Sequence, residues 1–233
     1  MHFDKIHNKG QARLFKNQYL EYITKTHPFV IWGMYLPVIG LMLYFSASKL
    51  SFTVLQVGLI FIAGMTFWSL FEYTIHRFVF HFFAESKRAK KIVYLIHGNH
   101  HEYPRDKERL FMPAVPSLII ASTLFSLMYA VAFVFNVTGS VFAFFPGFLT
   151  GYLIYGSMHY AIHAWNPPFK WMKPLWRNHH LHHYKDVELG FGVSSTLWDH
   201  IFGTMFDLTK EKEDKEKVQE LMFSKRVPQK ELQ

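Results

Sequence analysis

Apolar residues run along this chain in long blocks rather than in alternation. No Asp, Glu, Lys or Arg occurs from Thr26 to Ser48, from Leu50 to Phe71, or from Leu110 to Phe169. A helix crosses a bilayer in roughly 20 residues, so the first two blocks each predict one span and the third predicts two. The spans are placed near 29–45, 52–71, 117–135 and 142–157, with NVTGS as an exposed reversal between the last two. A soluble core helix competes for any single run, but four runs paired by short turns favour the membrane. The pattern therefore predicts an all-α fold: a four-span transmembrane helical bundle in two hairpins, with the remaining polar segments forming a helical cap.

Three segments follow from the same pattern. Residues 1–28 form an N-terminal segment whose ARLFKNQYLEYI suits either a short helix at the headgroup level or a solvated lead-in. Its mostly polar residues rule against a cleavable signal. Residues 29–208 form one integral membrane domain, and residues 209–233 a charged tail of the kind that is usually solvated surface. Asn136 begins a glycosylation-like NVT, but the turn lies too close to the membrane to give it weight.

Charge adds an orientation. Of the 25 Lys and Arg, five lie in residues 1–28, eight in 77–109 and eleven from 170 onward, and only Lys49 sits in a turn between paired spans. Two hairpins put the three basic stretches on one face, which the positive-inside rule makes cytoplasmic, along with both termini. The net charge of +8 thus reads as membrane topology, and no nucleic-acid partner is expected. Cysteine is absent, which excludes disulfides and thiolate-held haem or iron–sulfur clusters in this chain. Any metal must rely on nitrogen and oxygen ligands.

Histidine supplies the nitrogen. Ten of the 15 histidines fall in four groups: His76 and His81; His97, His100 and His101; His159 and His163; His179, His182 and His183. Residues three and four apart share a helix face, so three of the groups are each expected to point one way. His76 and His81 are five apart, so either the helix distorts there or the two serve different ions. Two crossings separate the second group from the third, and all four emerge on the cytoplasmic face. A lone histidine at a span end is usually an interfacial residue, but four groups on one face point to a shared site. His180 falls outside the spacing and is left out of the ligand set, and His2, His7, His27 and His200 read as ordinary.

Ten imidazoles exceed what one ion takes. They suit two ions with about five ligands each and an open position for small molecules. The cap is thus expected to be a histidine-rich dimetal domain. Imidazole alone does not name the metal, and the absence of HExxH argues against metal hydrolysis. Glu72, one turn before His76, is costly at a span end unless it is partnered. It is expected to accept the free N–H of a ligand ring, and Asp199 in LWDHIFGT to act similarly. Pairing of Glu72 with Arg77 or water is the competing reading.

HRFVFH, HGNHH, HYAIH and HHLHHYKDVELGFGVSSTLWDHIFGT together resemble the fatty acid hydroxylase superfamily of membrane di-iron oxygenases. The likeness runs from about Val54 to Leu208. EYTIHRFVFHF, HGNHHEYPRDKERLFMP and GFGVSSTLWD look most like its fatty acid 2-hydroxylase branch. The resemblance implies as metal ligands His76, His81, His97, His100, His101, His159, His163, His179, His182 and His183, the same ten that spacing selects. It implies two iron ions, with zinc able to take their place in a purified protein, and O2 as co-substrate. The reaction implied is hydroxylation of the carbon next to the carbonyl of a fatty acid or ceramide-like lipid drawn from the membrane. Many relatives carry a fused cytochrome b5 domain, for which residues 1–28 are too short. The expectation is a separate electron donor, cytochrome b5-like or ferredoxin-type, docking on the basic face. Ala164 stands where some relatives have another histidine, and no ligand is expected to be lost. Tyr73, Tyr160, Tyr184 and Trp198 are expected either to line the mouth of the site or to anchor at the interface.

Rival readings are a sterol or carotenoid hydroxylase or desaturase of the same superfamily and a non-catalytic membrane metal-binding protein. A zinc-dependent hydrolase ranks third.

Overall fold

A computed structural model gives the architecture and describes residues 6–207. The charged tail expected at 209–233 and His2 lie outside the described residues. Among the described residues the chain is helical, without strands.

The N-terminal segment forms a short helix, α1 (Gln18–Tyr22), because Asn17 Oδ1 accepts the N–H groups of Tyr19 and Leu20 at 2.9 and 3.2 Å. Its Tyr19 and Tyr22 are exposed. The first long helix, α2 (Pro28–Lys49), starts with proline in its first turn, where no N–H is needed, and with the His27 side chain accepting from Phe29 N–H. The next, α3 (Val54–Ile75), opens on a capping box in which Thr53 and Gln56 exchange side-chain-to-backbone hydrogen bonds. It does not end cleanly. At His76–Phe80 the winding loosens into a π-helix, closed by His81 N–H donating to His76 C=O at 3.3 Å.

Two short helices follow, α4 (Lys87–Val93) and α5 (Asn99–Glu102), joined by a second π-helix at Tyr94–Gly98. The second hairpin is α6 (Ala114–Val134) and α7 (Thr138–Ala164), and the reversal between them carries Asn136 at φ 56°. This left-handed residue sits in the NVTGS stretch where the turn was expected. The cap is completed by α8 (Lys173–Tyr184) and α9 (Leu197–Ile201).

Four of these helices are long and apolar enough to cross a membrane, which makes this a membrane protein. All four expected spans are present, and the last is longer than the apolar pattern indicated. α7 runs to Ala164, about two turns past residue 157, and carries His159 and His163 out of the apolar zone on one rigid rod. α7 is also the inner helix. More than half of its most apolar stretch is buried, against about a fifth or less in the other three. Close packing makes this possible: a Cβ on Gly64 of α3 would lie 2.0 Å from Phe144 C=O, and one on Gly147 of α7 would lie 1.9 Å from Phe61 C=O. Only glycine at both positions lets the two backbones touch, the small-residue packing expected where lipid removes any hydrophobic drive between helices. Trp68, Phe148 and Tyr152 fill the remaining space with edge-to-face contacts.

The N-terminal segment straps the cap. His7 N–H donates to Glu102 C=O at 2.7 Å, Thr26 N–H donates to Glu108 C=O at 2.8 Å, and Tyr184 donates to Asn8 Oδ1 at 2.7 Å. Arg109 pairs with Asp106 at 2.6 Å and with Glu21, and so ties α1 to the loop that precedes α6.

Candidate metal centre

The ten histidines that spacing selected converge beneath the bundle as two groups of five. His76, His81, His97, His101 and His182 form the first, and His100, His159, His163, His179 and His183 the second, with the ring nitrogens of each group within 4.8 Å of one another. Every one of these residues is buried except His81, which is partly exposed.

Helical geometry explains the division. At about 100° per residue, positions i and i+4 lie about 40° apart, whereas i+3 and i+4 lie about 100° apart. His97 and His101 share a group, as do His159 with His163 and His179 with His183. His100 and His182 point across to the opposite group. The expectation that each triplet points one way is therefore corrected: each contributes an i, i+4 pair to one group and a third ring to the other. The His76 and His81 spacing is resolved as well. The π-helix takes up the extra residue, and both rings reach the first group.

The nitrogens meet head-on. In the first group His97 Nε2 lies 3.1 Å from His76 Nε2 and 3.0 Å from His101 Nε2, and His182 Nε2 lies 3.0 Å from His81 Nε2. In the second, His179 Nε2 lies 2.9 Å from His163 Nε2 and 3.2 Å from His183 Nε2, and His159 Nε2 lies 2.8 Å from His100 Nε2. A ring nitrogen carries at most one proton, so His97 and His179 cannot satisfy two such contacts by hydrogen bonding. Lone pairs gathered at this spacing need a shared electron acceptor. A cation about 2.1 Å from each imidazole, with neighbouring ligands near right angles, sets the nitrogens about 3.0 Å apart. The donor set fits a pair of metal ions.

Several rings are also fixed from behind. His76 Nδ1–H donates to Phe191 C=O at 2.5 Å, His182 Nδ1–H to Leu189 C=O at 2.7 Å and His159 Nδ1–H to Leu110 C=O at 3.2 Å. This leaves Nε2 as the free lone pair in each. Burial, reinforced by repulsion among the rings, holds His97, His100, His101, His179, His182 and His183 well below the ordinary histidine range, and takes His81 down to about 2. Burial thus favours the neutral ring, the form that binds metal. His180 belongs to neither group, and its Nδ1–H donates to Trp176 C=O at 2.7 Å. His7 stacks on Tyr103, and His27 caps α2.

Glu72 and Asp199 are both buried, but neither takes an imidazole N–H. Glu72 accepts the N–H groups of Val193 and Ser194, each at 2.9 Å, and the Ser194 hydroxyl at 2.5 Å. Asp199 accepts from Phe191 N–H at 2.9 Å, Gly192 N–H at 2.8 Å and Thr204 Oγ1–H at 2.8 Å. The expected direct contact with a ligand ring is thus corrected: backbone carbonyls fill that role, and the carboxylates bind the loop that carries them. Backbone groups leave no mark in a residue pattern, and the only hint was the glycine pair in GFGVSS.

One side of the first group is open. The opening is a shallow recess of ≈ 10 Å³, room for about one water, lined by His81, His97, His101, Phe80, Phe82, Val93 and Gly98. The four aromatic residues expected either at the mouth or as interfacial anchors do not line this recess. Tyr73 is buried against Thr204, Tyr184 holds Asn8, Trp198 donates to Ser69, and Tyr160 packs on Trp165.

Known proteins share this arrangement at the level of sequence and fold. The family model described as Fatty acid hydroxylase matches residues 61–204. The Arabidopsis thaliana protein named Dihydroceramide fatty acyl 2-hydroxylase FAH2 is 37% identical over 193 residues, covering 83% of this chain and 79% of that protein. The Saccharomyces cerevisiae Ceramide very long chain fatty acid hydroxylase SCS7 is 37% identical over 208 residues, 88% of this chain. The match spans about half of that protein's length, 52%. A solved structure, described as full length scs7p with only the hydroxylase domain visible, superposes with a TM-score of 0.77 at 37% identity, over 85% of this chain and 73% of that one.

Proposed function

The chain belongs to the fatty acid hydroxylase family, and from that premise we propose that it hydroxylates C2 of a lipid acyl chain, in a fatty acid or ceramide-like lipid, at two histidine-held irons. The observation that carries this reading is the division of ten imidazoles, all but His81 buried, into two five-nitrogen groups beneath an apolar bundle. His76, His81, His97, His101 and His182 would hold one iron, and His100, His159, His163, His179 and His183 the other. When bound, the irons supply the redox chemistry that splits O2, with two electrons and two protons from a donor, placing one oxygen in the lipid and the other in water.

The protein contributes position and exclusion. Phe80, Phe82 and Val93 form an apolar approach to His81, His97 and His101, so an acyl chain laid along it brings C2 to the first group. Exposed Phe82, Phe83, Ile92 and Ile96 continue that approach toward lipid. The second group is buried throughout and closed to bulk water. Neutral ligands leave the charge of the ions uncancelled by protein, which favours their reduction by an outside donor. The three basic stretches support a cytoplasmic cap and cytoplasmic termini, where a separate cytochrome b5-like or ferredoxin-type protein would meet a basic surface.

Lipid mass spectrometry on membranes containing the protein, under isotope-labelled O2, tests the proposal. The expected product is a 2-hydroxy acyl lipid carrying one labelled oxygen. A sterol-ring hydroxyl, a new double bond, or turnover without O2 overturns it.

A further inference from the structure

Residues 189–195, LGFGVSS, join α8 to α9 with no regular structure of their own. Their carbonyls and their N–H groups face opposite ways. The carbonyls of Leu189 and Phe191 accept from His182 Nδ1–H and His76 Nδ1–H, at 2.7 and 2.5 Å. Four consecutive N–H groups, Phe191 to Ser194, turn instead onto two carboxylates: the first two onto Asp199, the last two onto Glu72.

Two glycines permit this path. Gly190 has φ +73°, and a Cβ there would lie 2.6 Å from the Phe206 ring. A Cβ on Gly192 would lie 2.1 Å from Ser195 C=O and 2.7 Å from Asp199 Oδ2. Asp199 is held from behind by a chain whose direction is fixed. Arg77 can only donate, and it gives to the Tyr73 hydroxyl at 2.9 Å. Tyr73 must then give its single proton to Thr204 Oγ1 at 2.9 Å, and Thr204 gives its own to Asp199 at 2.8 Å. Each hydroxyl accepts once and donates once, and the chain ends on a carboxylate that only accepts.

Both rings oriented by this loop belong to the first five-histidine group. In the second, His159 takes its carbonyl from Leu110, on a different segment. We infer that Asp199 and Glu72 are positioning residues for the first metal ion alone: they aim the Leu189 and Phe191 carbonyls, which fix the tautomer and direction of His182 and His76. The inference rests on the reading that each group holds one ion, and is independent of which lipid is oxidised.

Asp199→Asn keeps the shape but sets an amide NH2 against a backbone N–H, and Glu72→Leu removes the acceptor of the Val193 and Ser194 N–H groups at its end of the loop. Thr204→Val removes one donor to Asp199 and is the milder variant should either substitution fail to fold. The full chain in detergent is stripped and titrated with Co²⁺, reading ions per chain by mass spectrometry and ligand geometry by visible absorption. Wild type is expected to bind two ions. In Asp199→Asn and Glu72→Leu one ion should bind about 10- to 100-fold more weakly, matching the ion lost in His182→Ala, while the other is unchanged. Thr204→Val should weaken the same ion by less. Both ions bound with wild-type affinity in the three variants, or both weakened alike, overturns the inference. A wild-type chain that binds no Co²⁺ overturns the metal reading itself, and the inference with it.

Discussion

The two five-histidine groups are built from the same parts and differ in their surroundings. Each takes two near-neighbour pairs from one half of the chain and a single crossing ring from the other, His182 into the first and His100 into the second. The second group draws its pairs from α7 and α8, where successive turns of α-helix align His159 with His163 and His179 with His183. All five are buried, and no π-helix is involved. The first group draws its pairs from segments that include π-helices, at His76–Phe80 and Tyr94–Gly98, and borders a half-open pocket. Regular helix is the stiffer scaffold, because every backbone group is bonded within it. Irregular helix can swing a ring five residues away onto the same ion, and splay Phe80 and Phe82 aside to leave an opening. The comparison teaches that the site is least covered where the helix is imperfect, at His81, and fully buried where the helix is regular.

Removing a crossing ring tests the division most severely. His100→Ala should deplete the second ion and His182→Ala the first, each measured as metal per chain. In both, 2-hydroxy lipid should fall at least about 100-fold, since even loss of an outer partner costs that order, while insertion into membranes is unchanged. Depletion of the same ion in both variants breaks the comparison.

Inserting an alanine after Val79 comes next. It adds a sixth step between His76 and His81, one more than the π-helix absorbs, and turns the His81 ring by about 100°. The first ion should bind at least about tenfold more weakly with the second unaffected, read by the same Co²⁺ titration. An unaltered first site breaks the link between helix register and the first group.

A smaller effect is expected from Val93→Trp, which fills the pocket without touching a ring nitrogen. Both ions should be retained, and product formation should drop about tenfold through poorer placement of the chain, measured by lipid turnover against substrate concentration. Full turnover places the approach elsewhere.

Smallest of all, Tyr184→Phe breaks the bond to Asn8 at the far end of α8. Thermal unfolding in detergent should show a loss of about 1 kcal/mol, and faster proteolysis near residue 8 should accompany it.

Much of this could be read before the fold was known, for a definite reason. Span number and placement depend on the length of uncharged runs, and the candidate histidines on their spacing along one helix. Both are short-range properties written in neighbouring residues. What could not be read involves partners distant in the chain. Glu72 stood out as a carboxylate at a span end that needed hydrogen bonds, and it has them, but from Val193 and Ser194 rather than from a ring. The acceptors behind His76, His159 and His182 are backbone carbonyls, which every residue possesses and no pattern marks.

The sequence by itself determined four membrane helices, one histidine-bearing end and the i, i+4 pairing of rings, because helix hydrogen bonds act between residues four apart. Only tertiary structure decided that α7 is the inner helix, that His100 and His182 trade places, and that one loop backs two rings of the first group. The first outcome follows from where α3 and α7 touch, at Gly64 against Phe144 and Gly147 against Phe61. Contact across helices is set by the packed shape of the whole bundle, which no single segment contains.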